Sequence, residues 1–261
     1  MTAPALELEI APPRATMWFN RPAAANALDR AMFAALATAI ETVAARDDVG
    51  VIILRGRGRG FCAGANLDEL GQLDPQAAAQ SSLEWPRLLD RLAGLPIPLI
   101  AALHGYALGG GFLISLYCDV RLAVVGTRIG FPAASQFWLP PWGLSRLAAW
   151  LGPARAQQML LFSPELDAAA ARELGLIDGV SPADEFDALV DATAARLAAC
   201  QRDVVLEVRR FFAELPSTPH AEWDRLSAEG FARTFGSPAA QQAIRAIRER
   251  NRQANASGSA S

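Results

Sequence analysis

The sequence predicts an α/β fold, and three observations predict it. Two short apolar runs, VGVIILR at 49–55 and LIAALH at 99–104, have the length and composition of buried strands. Each run leads into a glycine-punctuated loop and then into sequence with helical spacing, the order expected of a layered α/β domain. Beyond Trp142 almost every segment reads as helix, so a strand-rich first half is followed by a helical second half.

Taken in order, residues 6–10 and 16–19 form a hairpin around Pro12-Pro13, and 20–28 a turn segment. Residues 29–46 carry Met32, Leu36, Ile40 and Val43 at helical spacing, with Asp29 as N-cap. After the strand at 49–55 and its loop come a helix over 83–92, the strand at 99–104, a glycine-opened helix reaching Tyr117 and a strand near 121–125. The span 144–252 is helical, with breaks at 152–153, 175–182 and 216–219. No Ser/Gly linker marks the junction, so the second half packs on the first as an extension. The expected division is a core over 1–195, a helical region over 196–252 and a polar tail without fixed structure over 253–261.

Composition excludes several classes of function. The 261 residues are 52% hydrophobic and 20% charged, enough to bury a core without disulfide or metal staples. A net charge of −3 argues against a nucleic-acid surface. All 24 basic residues are arginine, which removes P-loop and Schiff-base lysines. Three cysteines and two histidines are too few for a disulfide framework, a zinc cluster or a multi-histidine metal site. The start lacks a signal-peptide pattern, and the apolar stretch 95–125 is broken by Pro96, Pro98, His104, glycines and Asp119, so it is not a membrane span. A cytoplasmic protein without membrane or nucleic-acid partners is expected.

The two loops are the chemical signal. Gly60-Phe61-Cys62-Ala63-Gly64-Ala65-Asn66-Leu67 follows the first apolar strand, and His104-Gly105-Tyr106-Ala107-Leu108-Gly109-Gly110-Gly111-Phe112 follows the second. Each would present free backbone N–H groups at the start of a helix, and two such loops side by side would aim two donors at one developing oxyanion. The structural alternative is that both are tight turns. Neither matches a dinucleotide fingerprint, because GYALGGG lacks the glycine spacing.

These segments resemble the crotonase, or enoyl-CoA hydratase/isomerase, superfamily. The resemblance is carried by Asn20-Arg21-Pro22 with Asn26-Ala27-Leu28, the FCAGANL loop, AALHGYALGGG with Cys118-Asp119, then Gly130, Pro132 and Leu174-Gly175-Leu176-Ile177-Asp178. It spans nearly the whole chain. It implies a spiral of ββα units with a C-terminal helical trimerisation region, trimers or hexamers, and a thioester of CoA or of an acyl-carrier protein as substrate. No cofactor is implied beyond the CoA of the substrate. It assigns the oxyanion N–H groups to Ala65 and Gly110, and it makes Arg21 a candidate phosphate contact. Ala25, Ala63, Asn66, Leu67, Leu113 and Ala133 are the implied substrate-binding positions; Trp138 and Trp142, in an aromatic and proline-rich segment that departs from the family, are candidate walls of an acyl pocket. Each has a structural alternative: a solvated turn arginine for Arg21, core packing for the tryptophans.

The chain departs from the family at the positions that hydrate a double bond. Hydratases carry two glutamates where this sequence has Leu113 and Ala133. Backbone N–H groups cannot move protons, and positioned acid–base groups contribute roughly 10²–10⁴-fold. Glu69 and Asp68, in the helical turn after the first loop, are the candidate replacements, against the alternative that they only favour that turn electrostatically. Tyr106, Tyr117, His104, Asp119 and Cys62 are read as structural. Two functions follow. One is an enolate-stabilising acyl-CoA enzyme that is not a classical hydratase, with decarboxylation, isomerisation or C–C bond chemistry open to it. The other is a non-catalytic acyl-CoA or acyl-carrier-protein scaffold. Apolar residues Leu197, Val204, Val208, Phe211, Phe212 and Phe231 point to self-association through the helical half.

Overall fold

The computed structural model describes residues 3–132, 140, 142–162 and 164–214, together with 238, 242 and 253. The chain divides into two compact units, Met1–Cys200 and Gln201–Ser261.

The first unit is built on a six-stranded sheet. The hairpin β1 (Leu6–Ala11) and β2 (Arg14–Phe19) is antiparallel, and β3 (Val51–Gly56), β4 (Leu99–Leu103), β6 (Val120–Val124) and β8 (Gly179–Ser181) continue it in parallel, in the order β1-β2-β3-β4-β6-β8. A second, narrower ladder joins the turns of the spiral. Leu28 bridges Ala65, Cys62 bridges Ala107, β5 (Tyr106–Leu108) pairs with β7 (Arg128–Gly130), and Ile129 bridges Leu166. Each circuit of chain thus contributes one strand to the main sheet and one segment to this ladder, which is the predicted spiral.

Alternation along the strands explains the layers, because successive side chains leave a strand on opposite faces. Val51, Ile53, Ile100 and Ala102 pack with Phe186, Val190 and Ala194 of α8 (Phe186–Ala198). Ile52, Leu54, Leu99, Ala101 and Leu103 face the larger core, which also holds Met32, Leu36, Ile40 and Val43 of α1 (Arg30–Ala44). As predicted, Asp29 caps α1, accepting from Met32 N–H at 2.9 Å. The remaining helices of this unit are α2 (Leu67–Leu70), α3 (Pro75–Ala93), α4 (Gly110–Ser115), α5 (Leu144–Leu151), α6 (Pro153–Phe162) and α7 (Ala168–Glu173).

Two elements differ from expectation. The 175–182 segment, expected as a break between helices, supplies strand β8; three residues beside Gly175 and Pro182 carry no periodic signal. Helix α3 begins at Pro75 rather than 83, with Asp74 as its cap accepting from Ala77 N–H at 2.7 Å. In the second unit, α9 (Arg202–Glu214) exposes Val204, Leu206, Val208 and Phe212. Phe231, His220 and the expected polar tail other than residue 253 lie outside the described residues.

Arg121 is the fully buried charge that ties the sheet to the chain entering β8. Its side chain donates to Leu176 O (2.8 Å), Cys118 O (2.9 Å) and Asp178 Oδ2 (3.0 Å), and its guanidinium lies 3.8 Å from the Trp150 ring centroid. Burial lowers its proton affinity, and Asp178 opposes that. The Leu-Gly-Leu-Ile-Asp segment is therefore a structural clasp. Arg121→Ala leaves buried acceptors unpaired, so we expect a loss of about 2–4 kcal/mol of stability in urea denaturation.

Candidate active site

Asn26 sets the relation of the first loop to the turn before α1. Its backbone is left-handed (φ 56°) and its side chain wholly buried. The amide donates to Arg57 O (2.9 Å), Gly60 O (2.9 Å) and Phe61 O (3.1 Å), and its oxygen accepts from Arg21 N–H (2.8 Å). The backbone adds Leu28 N–H to Gly64 O (2.8 Å), Ala63 N–H to Ala25 O (3.0 Å) and Asn66 N–H to Leu28 O (2.9 Å).

The second loop locks onto the other edge of the first. Cys62 N–H donates to Tyr106 O (3.2 Å), and Leu108 N–H donates to Cys62 O (3.0 Å). At Gly111 the two loops touch through their backbones. A Cβ on Gly111 would lie 2.3 Å from the Cys62 carbonyl oxygen, so only glycine permits this approach.

This geometry frees two N–H groups. Gly64 (φ +97°) and Gly109 (φ +51°) both occupy conformations that favour glycine, and each immediately precedes a candidate donor, Ala65 and Gly110. Because Gly64 O and Asn66 N–H serve the bridge to Leu28, Ala65 N–H is left on the opposite edge, which faces the second loop. A Cβ on Gly64 would lie 3.2 Å from Gly110 N, which measures how closely the two segments approach. Among the described residues, neither N–H donates to a backbone acceptor.

Ala65 and Gly110 line one cavity of about 100 Å³, with Leu28, Asn66, Glu69, Leu70, Leu73 and Trp142. Its other wall is one face of α3: Ala78, Ser81, Ser82 and Trp85, at helical spacing i, i+3, i+4 and i+7. Trp85 and Trp142 stack with centroids 6.0 Å apart and 13° between planes, and Phe33 meets Trp85 edge-on at 5.2 Å. The cavity's titratable wall residue is Glu69. Asn66 fixes α2 by accepting from Asp68 N–H (3.0 Å) and Glu69 N–H (3.2 Å), and Glu69 Oε2 accepts from Arg30 N–H at 3.0 Å. Glu69 therefore has one oxygen anchored at the start of α1.

The expected site residues separate into two groups. Ala65, Gly110, Glu69, Asn66 and Trp142 meet at the cavity. Asp68 and Leu67 are exposed and outside its lining, and Arg21 is engaged in an ion pair with Asp29. Ala25 and Ala63 join the loops through the backbone and are not lining residues. Leu113, expected beside the substrate, is fully buried in the core. A Cβ on Gly143 would lie 3.0 Å from its Cδ2, and Leu113 does not line the cavity. Ala133 and Trp138 lie outside the described residues. The α3 face was missed, although the spacing of Ser81, Ser82 and Trp85 was present to be read.

Three of the residues read as structural have partners outside the cavity lining. Asp119 Oδ2 accepts from Leu99 N–H (2.7 Å), His104 Nε2 contacts Gly58 O (3.0 Å), and Tyr117 is buried beneath the Arg146 guanidinium (4.6 Å to the ring centroid). No group of three His, Cys, Asp or Glu among the described residues is disposed to hold a metal ion, and no described helix is long and apolar enough to cross a membrane.

Comparison with known proteins agrees with this architecture. The model of the family described as enoyl-CoA hydratase/isomerase matches residues 14–255. The chain belongs to the enoyl-CoA hydratase/isomerase family. It is 37% identical over 166 residues to 2,3-dehydroadipyl-CoA hydratase of Escherichia coli, an alignment covering 63% of this chain and 64% of that enzyme, just under two thirds of its length. It is 35% identical over 179 residues to the probable enoyl-CoA hydratase echA8 of Mycobacterium tuberculosis, covering 68% and 69% of the two chains. Among solved structures, an enoyl-CoA hydratase from Mycobacterium smegmatis superposes with a TM-score of 0.89 at 25% identity, over 95% of this chain and 97% of that one. The protein thus has the crotonase fold of its family.

Three predictions follow from the loop geometry and the cysteines within and beyond it. Asn26→Ala removes the amide that pins the first loop, and we expect about 2–4 kcal/mol less stability in chemical denaturation, because buried carbonyls lose their donor. Cys62 Sγ donates to Asn26 O (3.1 Å) and accepts from Gly64 N–H (3.4 Å), and burial pushes its thiol up to about 12 from the usual 9.0. A thiol reagent at neutral pH should therefore modify exposed Cys200 and spare buried Cys62 and Cys118. The folded state holds the Cys62 proton longer than the unfolded chain. Its contribution to stability is complete below pH 9.0 and declines as the pH rises towards about 12, which a denaturation series across that window measures.

Proposed function

We propose that the protein is an acyl-thioester enzyme that forms an enolate without hydrating its substrate. The carrying observation is that Ala65, Gly110 and Glu69 line a single cavity. The thioester oxygen is held by Ala65 N–H and Gly110 N–H, donors that become most valuable as the oxygen gains charge. Removing one such donor in comparable sites costs about 10²–10³-fold in rate.

Glu69 supplies the proton transfer. Its carboxylate takes a proton from the α-carbon, and the electrons of that C–H bond pass into the enolate. The resulting carboxylic acid returns the proton to the γ-carbon of a 3-enoyl chain, giving the 2-enoyl thioester. Atoms balance without water or any cofactor beyond the CoA of the substrate. Hydration would instead need an activated water and a proton delivered to carbon. Leu113 and Ala133 offer neither a base nor an acid where the family resemblance implies glutamates. A cavity wall with a titratable group favours this reading over a non-catalytic acyl-CoA or acyl-carrier-protein scaffold. The exposed apolar residues of α9 support assembly into the trimers or hexamers implied by the same resemblance.

The test is incubation in D₂O with a panel of saturated, 3-enoyl and malonyl-type CoA thioesters, read by mass spectrometry. We expect deuterium at the α-carbon and conversion of the 3-enoyl substrate; loss of CO₂ alone would indicate decarboxylation, and tight binding without either would indicate the scaffold. Glu69→Gln should lower isomerisation at least ~10²-fold while leaving thioester affinity nearly unchanged. Wild-type hydration of crotonyl-CoA should lie at least ~10²-fold below that of a two-glutamate relative. Crotonyl-CoA turnover at ordinary hydratase rates would refute this assignment.

A further inference from the structure

We infer that Trp85 and Trp142 act as a length stop that restricts the site to short aliphatic acyl groups. The inference rests on the acyl-thioester reading above and adds the substrate class. Trp142 stands beside one of the two donors: a Cβ on Gly110 would lie 3.2 Å from its Cζ2. An acyl chain whose carbonyl is held at Gly110 therefore meets an indole edge within its first few carbons.

That indole is not free to yield. It is 7% exposed, it stacks on Trp85, itself 7% exposed, and Trp85 is braced edge-on by Phe33. Displacing Trp142 breaks one aromatic contact directly and disturbs a second. The opposite wall behaves differently. Ala78, Ser81 and Ser82 are small, so α3 leaves room along its first turns and closes it at Trp85.

The volume sets the length. The cavity measures about 100 Å³. A dry protein cavity of about 150 Å³ accommodates benzene, so this smaller recess favours a short aliphatic chain over an aromatic ring. The walls select against longer chains by steric rejection, in addition to attracting the correct one. Trp85 and Trp142 determine specificity and take no part in proton transfer.

The experiment measures Kd by calorimetry for butyryl-, hexanoyl-, octanoyl- and benzoyl-CoA, and α-hydrogen exchange in D₂O for the three saturated thioesters that carry an α-hydrogen. Wild-type protein should bind butyryl-CoA at least ~10-fold more tightly than octanoyl- or benzoyl-CoA, the scale of one or two misfitting methylenes. Trp142→Ala should move the preference to hexanoyl- or octanoyl-CoA, changing the octanoyl-to-butyryl ratio by ~10-fold or more. Ala78→Phe should act in the opposite sense, losing hexanoyl-CoA before butyryl-CoA. Should Trp142→Ala fail to fold, Trp85→Phe retains an aromatic ring against Phe33 while shortening the wall, and it should shift the same ratio in the same direction. Equal affinity at every length, or ratios unmoved in the folded variants, would overturn the length stop while leaving the enzyme reading intact. Absence of binding and exchange with every thioester would overturn the enzyme reading and this inference with it.

Discussion

The cavity depends on two loops that touch backbone to backbone at Gly111 and Cys62. Gly111 has no room for a side chain against the Cys62 carbonyl, and Asn26 fills the space behind the first loop with an amide that has a partner in every direction. Direct contact forces the loops to share hydrogen bonds. The groups flanking Ala65 bond to Leu28, and Gly109 N–H bonds to Gly130 O, which leaves the N–H groups of Ala65 and Gly110 unclaimed by other described backbone groups. The two free donors are thus a by-product of close packing and need no dedicated side chain. This also explains why their residue types are uninformative: alanine and glycine serve because only the main chain is used.

The sequence revealed the scaffold better than the cavity wall, and the reason is physical. Strands β3 and β4 were legible because both faces are buried, which demands continuous apolar runs. Helix α1 was legible because one face is buried, which imposes Met32, Leu36, Ile40 and Val43. The first turns of α3 line a cavity instead of a packed core, so evolution of that face is free of the need for large apolar residues. Ala78, Ser81 and Ser82 therefore carry no hydrophobic period, and the predicted helix began only where Leu88, Leu89 and Leu92 approach. The missing signal coincides with the functional surface. Strand β8 was lost for a different reason, since a three-residue strand at the end of a sheet is specified by its neighbours and by the Arg121–Asp178 clasp more than by its own residues.

The carboxylates show why position in space matters more than position in sequence. Asp68 and Glu69 are adjacent and both lie in the short turn α2, yet a helix turns about 100° per residue. Asn66 fixes the phase of that turn, placing Glu69 against the cavity and Asp68 in solvent. One bond from Arg30 N–H then anchors a single oxygen of Glu69. The N-terminus of α1 consequently has two acidic partners, Asp29 at Met32 N–H and Glu69 at Arg30 N–H, and the same backbone that begins the helix orients the carboxylate.

On the proposed reading, the features that depart from a hydratase belong together. Hydration needs water beside the double bond and two groups to divide its atoms. A leucine at 113 that is wholly buried cannot anchor such a water, and an alanine at 133 carries no polar atom. The stacked tryptophans add an apolar wall to a small cavity already lined by Leu28, Leu70 and Leu73. Apolar walls beside the N–H donors strengthen their attraction for an enolate oxygen, because less solvent competes for that charge. A single acid–base group is a deficiency for adding water, but it is sufficient for returning the same proton to another carbon. Leucine and alanine in place of two glutamates, and two tryptophans on the wall, are therefore consistent parts of one site in which Glu69 handles the proton and the loop backbones hold the charge.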